Sequence, residues 1–289
     1  IINNFYNGSI SYIDEDGLVN LSNIPTRTDG VMPTLTFLAG NKIEIKGNGI
    51  QVGASSNGIN INLLARGDVS LWNSIITKGG YFKVKGVRNS GEWDGRWEDY
   101  AGSFTSHGTS NIVTTGLGPG SHPKKDGGDV QIFTGINEVS TGTTDGGIEI
   151  GGHITTTGGT APTGTLATSG NNGGNIELLT TSNADITILS GADLTTSGSA
   201  AGHISAYYGG RGGQVIIGDG NNYTNSVTFN DTVIRTSGGA GKEYTGTLYG
   251  VAGDIYIYAD DVQLSNDVVE FVGSNNSTAI PELVFKNDW

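Results

Sequence analysis

Acid pairs, histidines, a tryptophan cluster and Asp-Gly runs are the parts of this chain whose types and spacing could support chemistry. Asp260-Asp261, inside Ile257-Tyr258-Ala259-Asp260-Asp261-Val262, is the nearest approach to the paired carboxylates of glycoside hydrolysis. A polygalacturonase-type site also needs Gly-His-Gly and a later Arg-Ile-Lys. The chain has neither, and Ser106-His107-Gly108 lies upstream of the acids, so the pair reads as a turn between strands. The four histidines are His107, His122, His153 and His203, and two share a setting, Gly152-His153-Ile154 and Gly202-His203-Ile204. Both read as outward polar residues after a Gly that opens a strand. Ser and Thr are too numerous for a nucleophile to stand out, and no Gly-x-Ser-x-Gly elbow occurs in a triad setting. Asp14-Glu15-Asp16-Gly17 resembles the start of a Ca2+ loop but lacks the later carboxylates of an EF-hand. Asp126-Gly127-Gly128-Asp129 and Asp219-Gly220-Asn221-Asn222 hint at a Ca2+ roll, which needs tandem nine-residue repeats absent from this sequence. No catalytic residue, metal ligand or cofactor is expected; Ca2+ is the one ion these carboxylates would suit. Trp93, Trp97 and Tyr100 alternate with Glu92, Asp94, Arg96, Glu98 and Asp99. Three roles fit them: gripping a sugar, anchoring a protein partner, or packing back onto the body of the molecule.

These residues must be positioned by a chain of unusual composition. Of 289 residues, 49 are Gly, 32 Thr, 26 Asn and 24 Ser, and none is Cys. A thiolate metal site or a redox disulfide is therefore excluded. The 15 Lys+Arg against 28 Asp+Glu leave a net charge of −13, which argues against nucleic-acid binding. No apolar run approaches the ~20 residues of a membrane helix. Apolar residues are 35% and charged ones only 15%, and the apolar ones fall in short alternating bursts, unlike a disordered chain. Gly recurs so often past Gly40 that helices are disfavoured, at roughly 1 kcal/mol per Gly relative to Ala. The expected class is all-β.

One unit recurs. One or two Gly and a polar residue precede Ile, Val or Leu positions that alternate with polar ones. It appears as Gly128-Asp129-Val130-Gln131-Ile132, Gly147-Ile148-Glu149-Ile150, Gly174-Asn175-Ile176-Glu177-Leu178, Gly202-His203-Ile204, Gly213-Gln214-Val215-Ile216-Ile217 and Gly253-Asp254-Ile255-Tyr256-Ile257. Looser copies are Asn41-Lys42-Ile43-Glu44-Ile45, Gly58-Ile59-Asn60-Ile61 and Gly80-Tyr81-Phe82-Lys83-Val84. Such spacing, with further short strands between copies, predicts flattened coils stacked into a parallel β-solenoid. A β-sandwich also has short strands and Gly turns, but has no reason to open strand after strand with one Gly-led unit. Gly is expected at corners and Thr at outward strand positions. At roughly 22 residues per coil the chain would make about 13 coils, a rod of the order of 60 Å at ~4.8 Å per rung.

Gly173-Gly174-Asn175-Ile176-Glu177-Leu178 through Gly191-Ala192-Asp193-Leu194-Thr195-Thr196-Ser197-Gly198, followed by Ala201-Gly202-His203-Ile204, resembles filamentous-haemagglutinin-type repeats. The likeness covers residues 126–275 best and 40–86 weakly. It implies a right-handed parallel β-helix in a secreted bacterial surface protein, commonly an adhesin. That family's secretion domain carries Asn-Pro-Asn motifs, and this chain has no Asn-Pro pair.

The expected organisation is an N-terminal cap or exchanged strand over 1–38, a β-helix over 39–275 with one long loop excursion at 87–125, and a C-terminal cap or subunit-contact tail over 276–289. The ends of a solenoid expose unpaired backbone and apolar core. Ile1, Ile2, Phe285 and Trp289 are candidates for end-to-end contacts, and Trp93, Trp97 and Tyr100 for a ligand or partner. The expected function is a non-enzymatic, extracellular structural or adhesive rod that self-associates end to end or binds surface glycans. The alternative is a carbohydrate-active β-helix enzyme. No nucleic-acid partner and no membrane span is expected.

Overall fold

The computed structural model describes residues 3–6, 10–14, 32–39, 42–51, 58–65, 67–86, 101–118, 125–135, 146–163, 169–180, 184–202, 208–218, 224–241, 250–272 and 282–286. Among them the regular elements are all β-strands, and every paired strand is parallel to its neighbours. The strands follow one another around three faces, A, B and C, and then return to A. The first coil supplies β1 (Asn3–Tyr6) on A and β2 (Ile10–Asp14) on B. Six coils then supply a strand to each face in turn. They are β3 (Thr34–Ala39), β4 (Ile43–Gly47) and β5 (Ile50–Gln51); β6 (Asn60–Ala65), β7 (Val69–Leu71) and β8 (Ile75–Ile76); β9 (Phe82–Lys85), β10 (Phe104–Ser106) and β11 (Ile112–Val113); β12 (Val130–Thr134), β13 (Ile148–Ile150) and β14 (Ile154–Thr157); β15 (Ile176–Thr180), β16 (Asp185–Ile188) and β17 (Asp193–Ser197); and β18 (Val215–Ile217), β19 (Thr224–Asn230) and β20 (Val233–Ser237). The last full turn is β21 (Ile255–Ser265), which runs from face A onto face B, and β22 (Val268–Val272) on C; β23 (Leu283–Lys286) adds a final rung to A.

This is a parallel β-solenoid-like fold, and its coils are fewer and longer than the repeat spacing predicts. Eight turns are described. Ile61 pairs with Phe82, but Phe82 pairs with Val130, so one coil can take more than twice the chain of another. The Gly-led units at Gly128 and Gly147 open faces A and B of the same coil and were spaced as if they opened two. Residues 101–118, which the sequence assigns to the excursion, belong to the rod. There β10 sits between β7 and β13, and β11 between β8 and β14. At the two ends, β1 and β2 stack on β3 and β4, and β23 stacks on β21.

Inward columns of Ile, Val, Leu and Phe fill the interior. On face A, Ile61, Phe82, Val130, Ile176, Val215 and Ile255 stack in one line, all with no solvent exposure. Alternation on a strand then puts Gln131 or Glu177 outward between two such residues.

Thr155 and Thr195 take the expected outward phase, but a second set of Thr does not. Thr77, Thr114, Thr156, Thr196 and Thr236 point inward and are fully buried. Their hydroxyls donate to the carbonyls of Gly80, Gly128, Gly174, Gly213 and Gly253 at 2.5–2.7 Å. The physical reason is the corner from C to A, where a buried carbonyl has left the sheet ladder and needs a donor. The same glycines stack carbonyl over α-carbon. A Cβ on Gly128, Gly174, Gly213 or Gly253 would lie well under 3.0 Å from the Gly carbonyl one coil below. The Gly that opens β12, β15, β18 and β21 is thus required by close backbone approach.

A second seam lines the start of face A on the outside. Asn60, Asp129, Asn175 and Asp254 each accept, through Oδ1, the backbone N–H of the residue above them in the next coil: Tyr81, Asn175, Gln214 and Glu282. These N–H groups lie just outside the strand ladder, so a side chain supplies the acceptor.

Candidate functional site

Connection lengths are unequal around the coil. Every described B-to-C corner is short, two to five residues, and Gly49, Gly191, Asp231 and Asn266 make the bend there with positive φ. The chain lengthens at the other two corners. From A to B the connections include 86–103 and 135–147; from C to A they include 114–129, 158–175, 198–214 and 238–254. Face A therefore lies between both corners that carry extra chain. Loops that vary over a regular scaffold are where binding sites are usually found.

The outward residues of face A form two columns along the rod. Gln131, Glu177, Ile216 and Tyr256 succeed one another in register, and all are half-buried. Beside them run Leu64, Lys85, Phe133, Leu179, Gly218 and Tyr258, of which Leu64 and Lys85 are buried. Gln131 Nε2 donates to Glu177 Oε2 at 3.0 Å. Tyr256 and Tyr258 stand with rings parallel to within 7° and centroids 6.2 Å apart, and the Tyr256 hydroxyl donates to Asp254 Oδ2 at 3.2 Å. Lys83 lies over the Tyr81 ring at 4.5 Å and Lys85 over the Phe133 ring at 4.3 Å.

Burial sets the charges of this face. It lowers the Lys85 ammonium to about 8, with repulsion from Lys83 adding to the shift and Glu177 opposing it. Burial raises the Glu177 carboxyl above its usual range, and Asp129 reinforces that, while the Gln131 hydrogen bond and the two lysines oppose it. The linkage has a definite sign. Between about pH 8 and 10.5 the unfolded chain holds the Lys85 proton and the folded one does not, so this group makes stability rise with pH across that window. Lys85→Met should therefore be more stable than the parent at pH 7 and should lose the Lys85 share of that rise. Thermal melts at pH 7 and pH 10 check both.

The B-to-C corner carries a second aromatic feature. Trp72 is 48% exposed and stacks on His107 one coil later, ring centroids 3.6 Å apart, with Lys46 Nζ 5.9 Å away on the coil before.

Of the residues singled out by sequence, Trp93, Trp97, Tyr100, His122, His203, Ile1, Ile2 and Trp289 lie outside the described residues. Phe285 is described: it occupies a core column of the last rung, above Ile257, and is 41% exposed. Asp260 and Asp261 are not in a turn. Both are exposed within β21, which continues from face A to face B without a break, and Asp261 accepts from Gln263 Nε2 at 2.8 Å. His153 sits at the B-to-C corner, 3.3 Å from Asp193 Oδ2. Asp126 and Asp129 accept backbone N–H groups from Asn172 and Asn175. Sequence reasoning passed over Lys85, Phe133, Tyr256 and Tyr258. The available signal was alternation, as in Gly253-Asp254-Ile255-Tyr256-Ile257-Tyr258, where both aromatics fall on the outward phase.

No family model, no curated protein and no solved structure matches this chain. Among the described residues no helix is long and apolar enough to cross a membrane.

Proposed function

We propose that the chain is a non-enzymatic, extracellular structural or adhesive protein: a right-handed parallel β-helix rod, similar to filamentous-haemagglutinin repeats, secreted to a bacterial cell surface. One observation carries this reading most strongly. Among the described coils the long connections fall at the two corners that flank face A, while each described corner opposite stays at two to five residues. A rod that displays variable segments beside one face is suited to attachment. The reading predicts that purified protein coats cells or solid surfaces. It also predicts that replacing Trp93 and Trp97 together with Ala abolishes coating if that loop is the adhesive element. Retained coating by the double variant would remove those two residues from the contact.

End-to-end assembly has its own support. Leu264, Leu283 and Phe285 continue core columns at the C-terminal end and are 56%, 39% and 41% exposed. Electron microscopy across a concentration series tests it: fibres are expected, and discrete particles throughout would end the polymer version.

The second reading, a carbohydrate-active β-helix enzyme, draws on the lowered Lys85 amine and its charged neighbour Glu177. A screen of polysaccharides that releases neither reducing ends nor unsaturated products removes it.

A further inference from the structure

We propose that face A binds an extended, neutral, flat-ribbon glycan, an equatorially 1,4-linked pyranose chain lying along the rod axis. This deepens the adhesive reading and rests on it. The geometry supplies two parallel strips at rung spacing. Over four successive rungs one strip holds Phe133, Leu179, Gly218 and Tyr258, and the other holds Gln131, Glu177, Ile216 and Tyr256. The apolar strip is thus interrupted by a Gly and the hydrogen-bonding strip by an Ile at the β18 rung. A pyranose in a flat ribbon has the same division, with C–H groups on its ring face and hydroxyls along its edges. Aromatic and aliphatic side chains beside a few placed polar groups are the general composition of a ligand surface. Such a ribbon also advances by about the rise of one rung per ring, ~4.8 Å. Successive rings of such a ribbon are turned over by about 180°, so the same edge returns at every second coil while the ring faces stay along the rod; a curled α-linked chain leaves that line.

Charge selects the neutral class. The chain carries −13, so a polyanion is repelled at long range. Face A itself mixes Lys83 and Lys85 with Asp129, Glu177 and Asp254, which leaves no single-sign track for a charged polymer. Trp72 lies at the B-to-C corner, outside the two strips of face A.

The test is titration calorimetry of the full chain with cellohexaose, mannohexaose and chitohexaose, with maltohexaose and a hexamer of galacturonic acid as comparisons. At least one of the first three should bind, and the last two should not. Tyr256→Ala combined with Tyr258→Ala should weaken binding at least tenfold, and Trp72→Ala should leave it unchanged. Thermal midpoints of both variants show whether the fold is intact, and Gln131→Ala gives a second probe of the same face if the double variant unfolds. Failure of all three ribbons to bind, binding that survives the face-A changes, or equal binding of maltohexaose overturns the proposal. Surface coating is measured in parallel. Coating without ribbon binding sinks the glycan assignment alone, whereas absence of coating and binding together sinks the adhesive reading as well.

Discussion

Gly213→Ala is expected to destabilise the protein by roughly 4 kcal/mol or more, at the upper end of single substitutions. The added Cβ would fall well inside 3.0 Å of the Gly174 carbonyl oxygen and carbon. Both are backbone atoms of the adjacent coil, so no side chain can rotate aside. Relief would require the coils to separate. They are held on either side of the clash by Gly173 N–H to Arg211 O at 2.8 Å and Ile176 N–H to Gln214 O at 2.9 Å. Either the ladder breaks or the clash remains. A large fall in the thermal midpoint, followed by circular dichroism, is the expected result. Gly118→Ala is the control, because a Cβ there meets nothing within 4 Å. Its effect should stay within about 0.5 kcal/mol.

The second large effect is the loss of the buried Thr seam. Replacing Thr114, Thr156 and Thr196 with Val keeps the shape of each side chain but removes three hydroxyls from three consecutive coils. Each donates to a Gly carbonyl at 2.5–2.6 Å. A buried polar group that loses its partner costs roughly 1–3 kcal/mol, so the triple variant should lose about 3–9 kcal/mol if the rungs act independently. Adjacent rungs share the same stack of Gly carbonyls, so the sum need not be additive. Thr155→Val with Thr195→Val is the matched control. Those residues occupy the outward phase of the same strands and should change stability by no more than about 0.5 kcal/mol. Equal effects from inward and outward changes would show that the seam contributes nothing particular.

The legible parts of this fold were those written in short-range alternation. Gly174-Asn175-Ile176-Glu177-Leu178 states a strand, its inward residues and the corner before it, and the structure has all three. Parallel stacking followed from the recurrence of that unit. Coil length did not, because a Gly-led opening marks a corner without saying which corner. Gly128 begins face A and Gly147 begins face B of one coil, and only pairing distinguishes them. Phe104 and Ile112 were likewise hidden, since β10 and β11 are too short to announce themselves among turn residues. The buried Thr at the C-to-A corner were missed for a reason of chemistry. Threonine's β-branching suits an outward strand position, but at the C-to-A corner a buried carbonyl needs a donor, and the hydrogen bond decides. The candidate surface was the least legible part. Phe133 and Tyr258 are far apart in sequence and share a column only because the intervening chain closes its coils in register.

Coil register is the claim on which everything else depends, and cysteine pairs test it directly, since the chain contains no Cys of its own. Thr155 faces Thr195 in the next coil, and Thr195 faces Arg235 in the one after. Rungs ~4.8 Å apart fall within the Cα separation a disulfide spans, whereas a two-coil step of ~9.6 Å does not. Mild oxidation should cross-link Thr155→Cys with Thr195→Cys, and Thr195→Cys with Arg235→Cys, and should leave Thr155→Cys with Arg235→Cys reduced. Cross-linking of the last pair in preference to the first two would contradict the stacked-coil account.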